Sequence, residues 1–404
     1  MKVQDRFLHY ITIPTASIEE NLSCPSNPDE LKLAEYLADE LRGMGLKSVT
    51  LTESSYLYAH LPASEGCTRL PSIGFIAHLD TSPSFNGNDI KPQIIYNYSG
   101  VDILLKGAKD YIKVSDFPDL KEMVNKTVIT SDGTSLLGSD DKAGIAEIMT
   151  ALEQIITEQL PHGHIYVAFT PDEELGRGCD KFEKDYFPVD FAFTVDGDYE
   201  AEVAYENFNA ASAKFEIKGR EVHPGEAKGI MVNASLIAAE LISLLPAHER
   251  PENTEGRQGF FHVCDIKGDV SHAEVNLIVR DHDKKLFNKK IDLLRTLERK
   301  LKLKYSEDTV ELTVTDSYYN MLDVMQDHMD IITLANQAIA KTGLAPISRP
   351  VRGGTDGAQL SFMGIPCPNL GTGGYGFHGP YEHVCVESME TVVNVIKNIV
   401  SSAK

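Results

Sequence analysis

The chain has 404 residues, of which 42% are hydrophobic. This is a normal globular composition in a chain that is too long for one ordinary domain and suggests two. Its 38 basic and 60 acidic side chains give a formal net charge of −22. A surface this acidic repels phosphate backbones and anionic lipid, so we expect neither nucleic acid nor membrane partners.

The beginning of the chain and the spacing of its cysteines indicate the cellular compartment in which the protein resides. The N-terminus lacks the apolar segment of a secretory signal, and no stretch reaches the roughly 18 apolar residues of a membrane span. The six cysteines are scattered without CxxC spacing, which fits free thiols in a reducing compartment better than a disulfide framework. We therefore predict a cytoplasmic protein.

The first half of the chain alternates short apolar strands with helices. Apolar residues at helical spacing predict a helix over 29–45, and 143–156 is a second helix. Apolar runs at 71–77, 164–169 and 191–195 read as buried strands. Strands separated by helices predict an α/β domain with a mixed, largely parallel sheet and helices on both faces.

The pattern changes near residue 208 and returns near residue 320. Between these points the sequence predicts a strand, a helix, two strands, a helix and a strand, over 211–218, 231–245, 259–266, 274–279, 286–303 and 309–315. This order is that of the α+β ferredoxin-like unit. We predict a larger domain formed by residues 1–207 and 319–404, with the smaller domain, 208–318, inserted into it.

Residues of the kind that bind metals follow the predicted strands. The first strand runs into His78, the second runs into Glu174, and the third ends at Asp196. Asp140 stands where a helix begins, and His378 lies in a late Gly-rich loop. Because open α/β sheets bind ligands outside the carboxyl ends of their strands, we expect these side chains to meet at one edge.

Two histidines and three carboxylates exceed the needs of one tetrahedral ion and suit two ions that share a bridging carboxylate. We predict that Asp140 bridges two Zn²⁺ ions, with Co²⁺ or Mn²⁺ as substitutes. His78 and Asp196 complete one site, and Glu174 and His378 complete the other. A bridging water would be the nucleophile.

Two further carboxylates have catalytic roles in this interpretation. Asp80 stands two residues after His78, on the same side of an extended chain, and can accept the second ring N–H of that ligand. Glu173 adjoins Glu174 but points elsewhere, which makes it the natural general base. Each short pattern also has an ordinary explanation, such as a helix N-cap for Asp140. Their coincidence at one predicted sheet edge favours the metal site.

Longer motifs give a family resemblance: HLDTSP (78–83), GSDDKAG (138–144), TPDEELGRG (170–178), FTVDGD (193–198) and HGPYE (378–382). They resemble the co-catalytic zinc peptidases that include carboxypeptidase G2, aminoacylase and acetylornithine deacetylase. KGREVHPGEAKGIMVNA (218–234) and RGGTDGAQLSFMGIP (352–366) are similar to the bacterial tripeptide aminopeptidases of that family. The resemblance covers essentially the whole chain.

The resemblance implies a dizinc exopeptidase fold and places the family's five zinc ligands and two catalytic carboxylates on the same seven residues. The family's ligand histidine stands four residues before a glutamate, which selects His378 with Glu382 and leaves His383 as a loop or surface residue. The resemblance also implies that the inserted domain is a lid and dimerisation domain. In that arrangement His223 reaches the active site of the partner subunit and stabilises the oxyanion. We therefore expect a homodimer.

Selection of peptides by their length requires a contact that the metal ligands do not provide. Arg280 and Arg352 are candidates for holding the C-terminal carboxylate of a peptide with two parallel hydrogen bonds, and Asn276 could shape the same pocket. A fixed clamp of this kind favours peptides of one length. Together with the resemblance to tripeptide aminopeptidases, this implies a metallo-aminopeptidase for tripeptides. A dipeptidase or N-acyl amino acid deacylase on the same scaffold is the alternative, and a non-catalytic scaffold protein is a more distant one.

Overall fold

The computed structural model describes residues 1–403, which form two compact units. The first unit contains Met1–Tyr205, Val324–Arg349 and the chain from Thr355 onward, and the second contains Glu206–Asp323 and Pro350–Gly354. The catalytic role of the first part of the chain and the lid or dimerisation role of the second remain predictions.

The helices of the described residues follow the periodic segments of the sequence. In chain order they are α1 (Val3–Tyr10), α2 (Glu30–Gly43), α3 (Ser139–Thr157), α4 (Ala234–Leu244), α5 (Lys284–Lys304), α6 (Leu322–Met325), α7 (Met329–Ala340), α8 (Asp356–Phe362) and α9 (Val386–Ser402).

The strands are mostly short. They are β1 (Ser48–Leu51), β2 (Leu57–Leu61), β3 (Ile73–His78), β4 (Pro92–Ile95), β5 (Ile103–Leu105), β6 (Asp110–Ile112), β7 (Val128–Ser131), β8 (Ile165–Thr170), β9 (Phe191–Gly197), β10 (Val203–Ala204), β11 (Asn209–Lys218), β12 (Phe260–Gly268), β13 (His272–Asp281), β14 (Val310–Tyr318), β15 (Asn369–Gly371), β16 (Gly374–Tyr375) and β17 (His383–Cys385).

The first unit is built on a seven-stranded sheet in the order β1-β2-β8-β3-β9-β15-β10. The four central strands run parallel, and the outer strands pair antiparallel. Every residue of β3 is buried, which explains why the central strands read as continuous apolar runs. The helix α3 packs against β3 and β9, and α8 packs against β9. The predicted fold class, an α/β unit with a mixed and largely parallel sheet, is confirmed.

This topology determines where the site forms. The carboxyl ends of β3, β8 and β9 lie side by side because the three strands are parallel neighbours. Each strand therefore delivers its last residues to the same edge of the sheet.

The first unit also contains strands that the sequence analysis did not predict. Strands β16, β17, β7 and β4 form an antiparallel sheet, and β5 pairs with β6. These strands are two to four residues long, too short for an alternating pattern to stand out in the sequence.

The second unit has the predicted order β11-α4-β12-β13-α5-β14, and its sheet runs β12-β13-β11-β14, antiparallel throughout. Alternate residues of β11 and β13, among them Phe215 and Leu277, point into a core with α4 and α5, where Leu294 of α5 packs. The residues between them face the other side of the sheet, as the period of two requires.

No helix among residues 1–403 combines the length and the apolar character that crossing a bilayer requires.

Candidate metal centre

The carboxylate of Asp140 lies between two histidines in the first unit. Its Oδ1 is 2.8 Å from Nε2 of His78, and its Oδ2 is 3.0 Å from Nε2 of His378. One carboxylate thus turns its two oxygens to two separate imidazoles, which is the geometry of a bridging ligand.

Each of these histidines faces one more carboxylate. Nε2 of His78 is 3.5 Å from Oδ1 of Asp196, and Nε2 of His378 is 3.1 Å from Oε2 of Glu174. The structure therefore brings all five predicted ligands together. It divides them into the two predicted groups around Asp140.

The start of α3 is shaped to present Asp140. Gly138 has φ 79°, in the left-handed region that glycine adopts without strain. Further along, a Cβ on Gly144 would lie only 1.9 Å from the carbonyl oxygen of Val195. Only glycine lets the helix approach β9 this closely, and this approach keeps Asp140 beside Asp196 at the end of that strand.

Asp80 organises the neighbouring segments. Nδ1 of His78 is 3.0 Å from the backbone oxygen of Asp80 and 3.3 Å from its Oδ1, which directs Nε2 of the same ring toward Asp140. The Asp80 carboxylate also accepts hydrogen bonds from the amides of Glu173, at 3.0 Å, and Glu174, at 3.1 Å. It therefore orients a predicted ligand and the turn that carries the predicted base.

Burial of so many acids raises their pKa values. Burial and the neighbouring Asp140 raise the pKa of Glu174 to about 7, and burial raises that of Glu173 well above its usual range. Burial alone would raise the pKa of Asp140 as well, but hydrogen bonds from His378 and His78 lower it. The same contacts with Asp140 and Glu174 raise the pKa of His378 to about 11. These shifts show that the buried carboxylates repel one another's ionised forms, a repulsion that a bound cation would relieve.

The residues present fit divalent metal ions. Ligand atoms of His78, Asp140 and Glu174 all lie within 4.8 Å of one another. Oε1 of Glu174 is buried, and within residues 1–403 no hydrogen-bond donor reaches it. A buried carboxylate oxygen without a partner costs free energy unless something else binds it, and imidazole with carboxylate is a donor set that suits zinc.

A second cluster of ligand-type atoms lies on the sheet of the other unit, at Glu216, His272 and Glu274. The amino group of Lys214 lies 3.1 Å from Glu216 and 3.3 Å from Glu274. The lysine supplies the positive charge there, so this cluster needs no metal ion.

The other predicted site residues belong to the second unit. His223 is exposed in a loop, and its Nδ1 accepts a hydrogen bond from the amide of Gly225 at 3.2 Å. Asn276 and Arg280 lie on the same face of β13, opposite the core, and the Asn276 amide donates to Asp265. Arg280 donates through Nη1 to the backbone oxygen of Arg352, 3.0 Å away.

The two arginines differ in how many donors are already used. The guanidinium of Arg352 donates to the backbone oxygens of Gly256, Gln258 and Thr254 and to the Thr254 hydroxyl. Nε of Arg280 is buried, and no acceptor in the described part of the chain reaches it. Arg280 therefore keeps a donor that no described acceptor uses, whereas the guanidinium of Arg352 is committed to the segment 254–258.

The interpretation of His383 as a loop or surface residue is wrong. It is fully buried in β17, and its Nε2 is 2.6 Å from the carboxylate of Asp119. Sequence reasoning also gave Glu382 no structural role. Its carboxylate accepts hydrogen bonds from the backbone of residues 137, 138 and 140 and from the Ser139 hydroxyl. The position of Glu382 in the HGPYE motif, four residues after His378, is the sequence feature that could have indicated this role.

Comparison with known proteins agrees with this geometry. The profile of peptidase family M20/M25/M40 matches residues 137–402. A Peptidase T of Caldanaerobacter subterraneus is 51% identical over 99% of this chain and 98% of its own length. A Peptidase T of Alkaliphilus oremlandii is 49% identical over 98% of this chain and 97% of its own length.

Solved structures share the fold. An aminopeptidase PepT from Bacillus cereus has a TM-score of 0.76 at 20% identity, and a tripeptidase from Staphylococcus aureus has 0.78 at 21%; each covers 99% of this chain and 97% of its own. The YxeP protein of Bacillus subtilis, described as a dinuclear metal binding peptidase from the M20 family, has 0.66 at 14%, over 99% of this chain and 96% of its own.

The profile match and the full-length relatives show that this chain belongs to peptidase family M20/M25/M40, a family of hydrolases. Its resemblance to the Peptidase T group, read from the motifs, is confirmed by relatives that carry that name over the whole chain.

Proposed function

We propose that this chain is a cytoplasmic metallo-aminopeptidase that removes the N-terminal residue from tripeptides with the help of two Zn²⁺ ions. The observation that carries the proposal is the position of Asp140, whose two oxygens face His78 and His378. Relatives named Peptidase T, and the similarity to an aminopeptidase and a tripeptidase of known structure, support the choice of substrate.

In this proposal Asp140 would hold both metal ions, with His78 and Asp196 as the other ligands of one and Glu174 and His378 as those of the other. A bound pair of such ions lowers the pKa of water and polarises the scissile carbonyl. Glu173 accepts a proton from the attacking water and delivers it to the leaving amine. Burial raises the pKa of Glu173 above its usual range, which favours the protonated form that delivers the proton. Asp80 holds both His78 and the Glu173 amide in place.

The second unit supplies the remaining groups. His223 donates a hydrogen bond to the oxyanion from the side away from the metals, and it does so across a homodimer. Its exposed position in a loop leaves it accessible to a partner subunit. Arg280, with Asn276 on the same strand face, binds the C-terminal carboxylate of the substrate. Arg352 supports this pocket through its hydrogen bonds to 254–258 rather than through the substrate.

A substrate panel tests the specificity. The purified chain, supplied with Zn²⁺, is expected to release alanine and Ala-Ala from Ala-Ala-Ala, and to leave acetyl-Ala-Ala-Ala intact. Faster hydrolysis of N-acetyl amino acids or of dipeptides than of Ala-Ala-Ala would overturn the tripeptide assignment in favour of a deacylase or dipeptidase. A chain that retains no metal after dialysis and hydrolyses none of these substrates would be a scaffold protein.

A further inference from the structure

The predicted base and its neighbouring ligand stand on a tight turn, which we call the base turn and define as Pro171–Glu174. Within it Asp172 has φ 56° and ψ 27°, a left-handed conformation that non-glycine residues adopt only when their surroundings hold them there. The position of Glu173 therefore depends on the contacts that keep the base turn in this conformation.

Three consecutive amides of the base turn donate to buried carboxylates. The amides of Glu173 and Glu174 donate to the two oxygens of Asp80. The amide of Asp172 donates to Oε2 of Glu30, at 3.2 Å. Asp80 belongs to the site already described, whereas Glu30 comes from the first turn of α2 and has no role in the proposed reaction.

The surroundings of Glu30 isolate it from solvent and connect it to the base turn a second time. The residue is fully buried, as are Asp172 and Asp80. Its Oε1 accepts a hydrogen bond from the amide of Asn27 at 3.3 Å, and the next amide back, that of Ser26, donates to both oxygens of Asp172 at 2.9 and 3.0 Å. The segment 26–30 therefore both accepts a hydrogen bond from the base turn, at Glu30, and donates one to it, from the Ser26 amide.

The pKa of Glu30 helps to explain how three buried carboxylates can lie close together. Burial, with Asp80 and Asp172 nearby, raises the pKa of Glu30 to about 10. The raised pKa reduces the negative charge that Glu30 adds to a site already rich in carboxylates.

We propose that Glu30 is a positioning residue for the reaction: by accepting the Asp172 amide it fixes the base turn and, through it, the carboxylate of Glu173. This inference rests on the proposed function, because it assigns Glu173 as the general base. A misplacement of a catalytic group by about 1 Å can reduce turnover by roughly 100-fold, so a hydrogen bond that prevents it affects kcat rather than substrate binding.

The test is a set of variants in the full-length, metal-saturated protein, assayed on Ala-Ala-Ala. Glu30→Met removes the acceptor and nearly keeps the volume. Glu30→Gln keeps an amide oxygen that can accept the Asp172 N–H and gives up only the 3.3 Å hydrogen bond from the Asn27 amide, which is not part of the base turn. The matched control is Leu33→Ala on the same helix, which removes a fully buried side chain and so lowers the melting temperature without altering the base turn. For each variant, kcat, KM, bound metal and melting temperature are measured.

We expect Glu30→Met to lower kcat by about 10-fold or more with KM within about twofold of the unchanged enzyme, and Glu30→Gln to recover most of the loss. Leu33→Ala should keep the kcat of its folded fraction. If Glu30→Met does not fold, Glu30→Asp serves in its place, because the shorter side chain withdraws the acceptor, and the same loss of kcat is expected.

Two results would overturn the inference. One is a kcat in Glu30→Met, or its replacement Glu30→Asp, equal to that of Leu33→Ala. The other is a Glu30→Gln variant no better than Glu30→Met. Both results count against the inference only if the unchanged enzyme cleaves Ala-Ala-Ala. An unchanged chain that lacks this activity would instead overturn the proposed function.

Discussion

Oε1 of Glu382 accepts a hydrogen bond from the amide of Asp140 at 3.0 Å, although the two residues are 242 positions apart in the chain. The same carboxylate accepts three other hydrogen bonds from residues 137–139. One side chain from the Gly-rich loop therefore fixes the segment that presents the proposed bridging ligand.

Glu382→Gln should weaken metal binding by about 10–100-fold, the usual effect of losing a group that orients a ligand. The amide replaces an oxygen by an NH₂ group that cannot accept from donors on both sides. Metal titration of the metal-free protein, followed calorimetrically, measures the change. An affinity equal to that of the unchanged protein would show that the segment keeps its shape without the carboxylate.

Glu173→Gln should retain its metal ions and lose about 100- to 10,000-fold in kcat, because it removes the base and no ligand. Metal analysis and steady-state kinetics on Ala-Ala-Ala measure the two effects separately. Glu174→Gln is the control and should lose bound metal as well as activity. If Glu173→Gln turned over substrate at the normal rate, the base would have to be another residue.

Removal of metal by a chelator should abolish activity and lower the melting temperature. Ligands that bind only the folded protein stabilise it by about 2.7 kcal/mol at 100 times their dissociation constant, and the clustered carboxylates of Glu174, Asp140 and Asp196 lose their counter-charge. Zn²⁺, Co²⁺ or Mn²⁺ should restore both properties. Full activity in exhaustively chelated protein would contradict the metal-dependent mechanism.

Arg280→Ala should raise KM for Ala-Ala-Ala by about 10-fold or more, since a hydrogen bond to a charged group contributes roughly 1.5–3 kcal/mol. It should affect Ala-Ala-Ala amide, which lacks the carboxylate, much less. Arg352→Ala is the comparison, and its main effect should be a lower melting temperature, because its partners are backbone oxygens. Equal sensitivity of the acid and the amide to Arg280→Ala would exclude this clamp.

Complementation tests whether His223 acts across a dimer. Mixed dimers of His223→Ala and Glu173→Gln subunits contain one site with both functional residues if His223 acts in trans, and none if it acts within its own subunit. We expect mixed dimers, purified after dissociation and reassociation of the two weakly active variants, to recover up to about half of the normal kcat, since only one site of two is restored. Sedimentation should show that His223→Ala is still dimeric. No recovery in verified mixed dimers would place the histidine in its own subunit's site.

The fold, and the meeting of the five ligand-type side chains, could be predicted because each depends on a local pattern in the sequence. The strands β3 and β9 begin with buried, mostly apolar residues. His78 and Asp196 stand at their carboxyl ends, where parallel topology makes distant residues neighbours. In the second unit, the alternation of buried and more exposed residues along β11 and β13 indicated the strands equally clearly.

Other features could not be predicted, because they depend on contacts that no local pattern encodes. Glu30 has the appearance of an ordinary acidic residue in the first turn of an amphipathic helix, yet it is fully buried. His383 stands in a polar, glycine-containing sequence, but Asp119 and the surrounding aromatic rings enclose it. Tertiary packing, and not spacing along the chain, decides the environment of both residues.

The first unit is discontinuous in the chain, with the second unit between its parts. During synthesis, the segment up to Tyr205 emerges with four of the five proposed ligands, while His378 and Glu382 are still untranslated. At that stage the start of α3 lacks the glutamate that accepts the Asp140 amide. On the proposed assignment, the metal site, and with it peptidase activity, can be completed only after His378 has been made, so partly made chains should not attack the peptides around them.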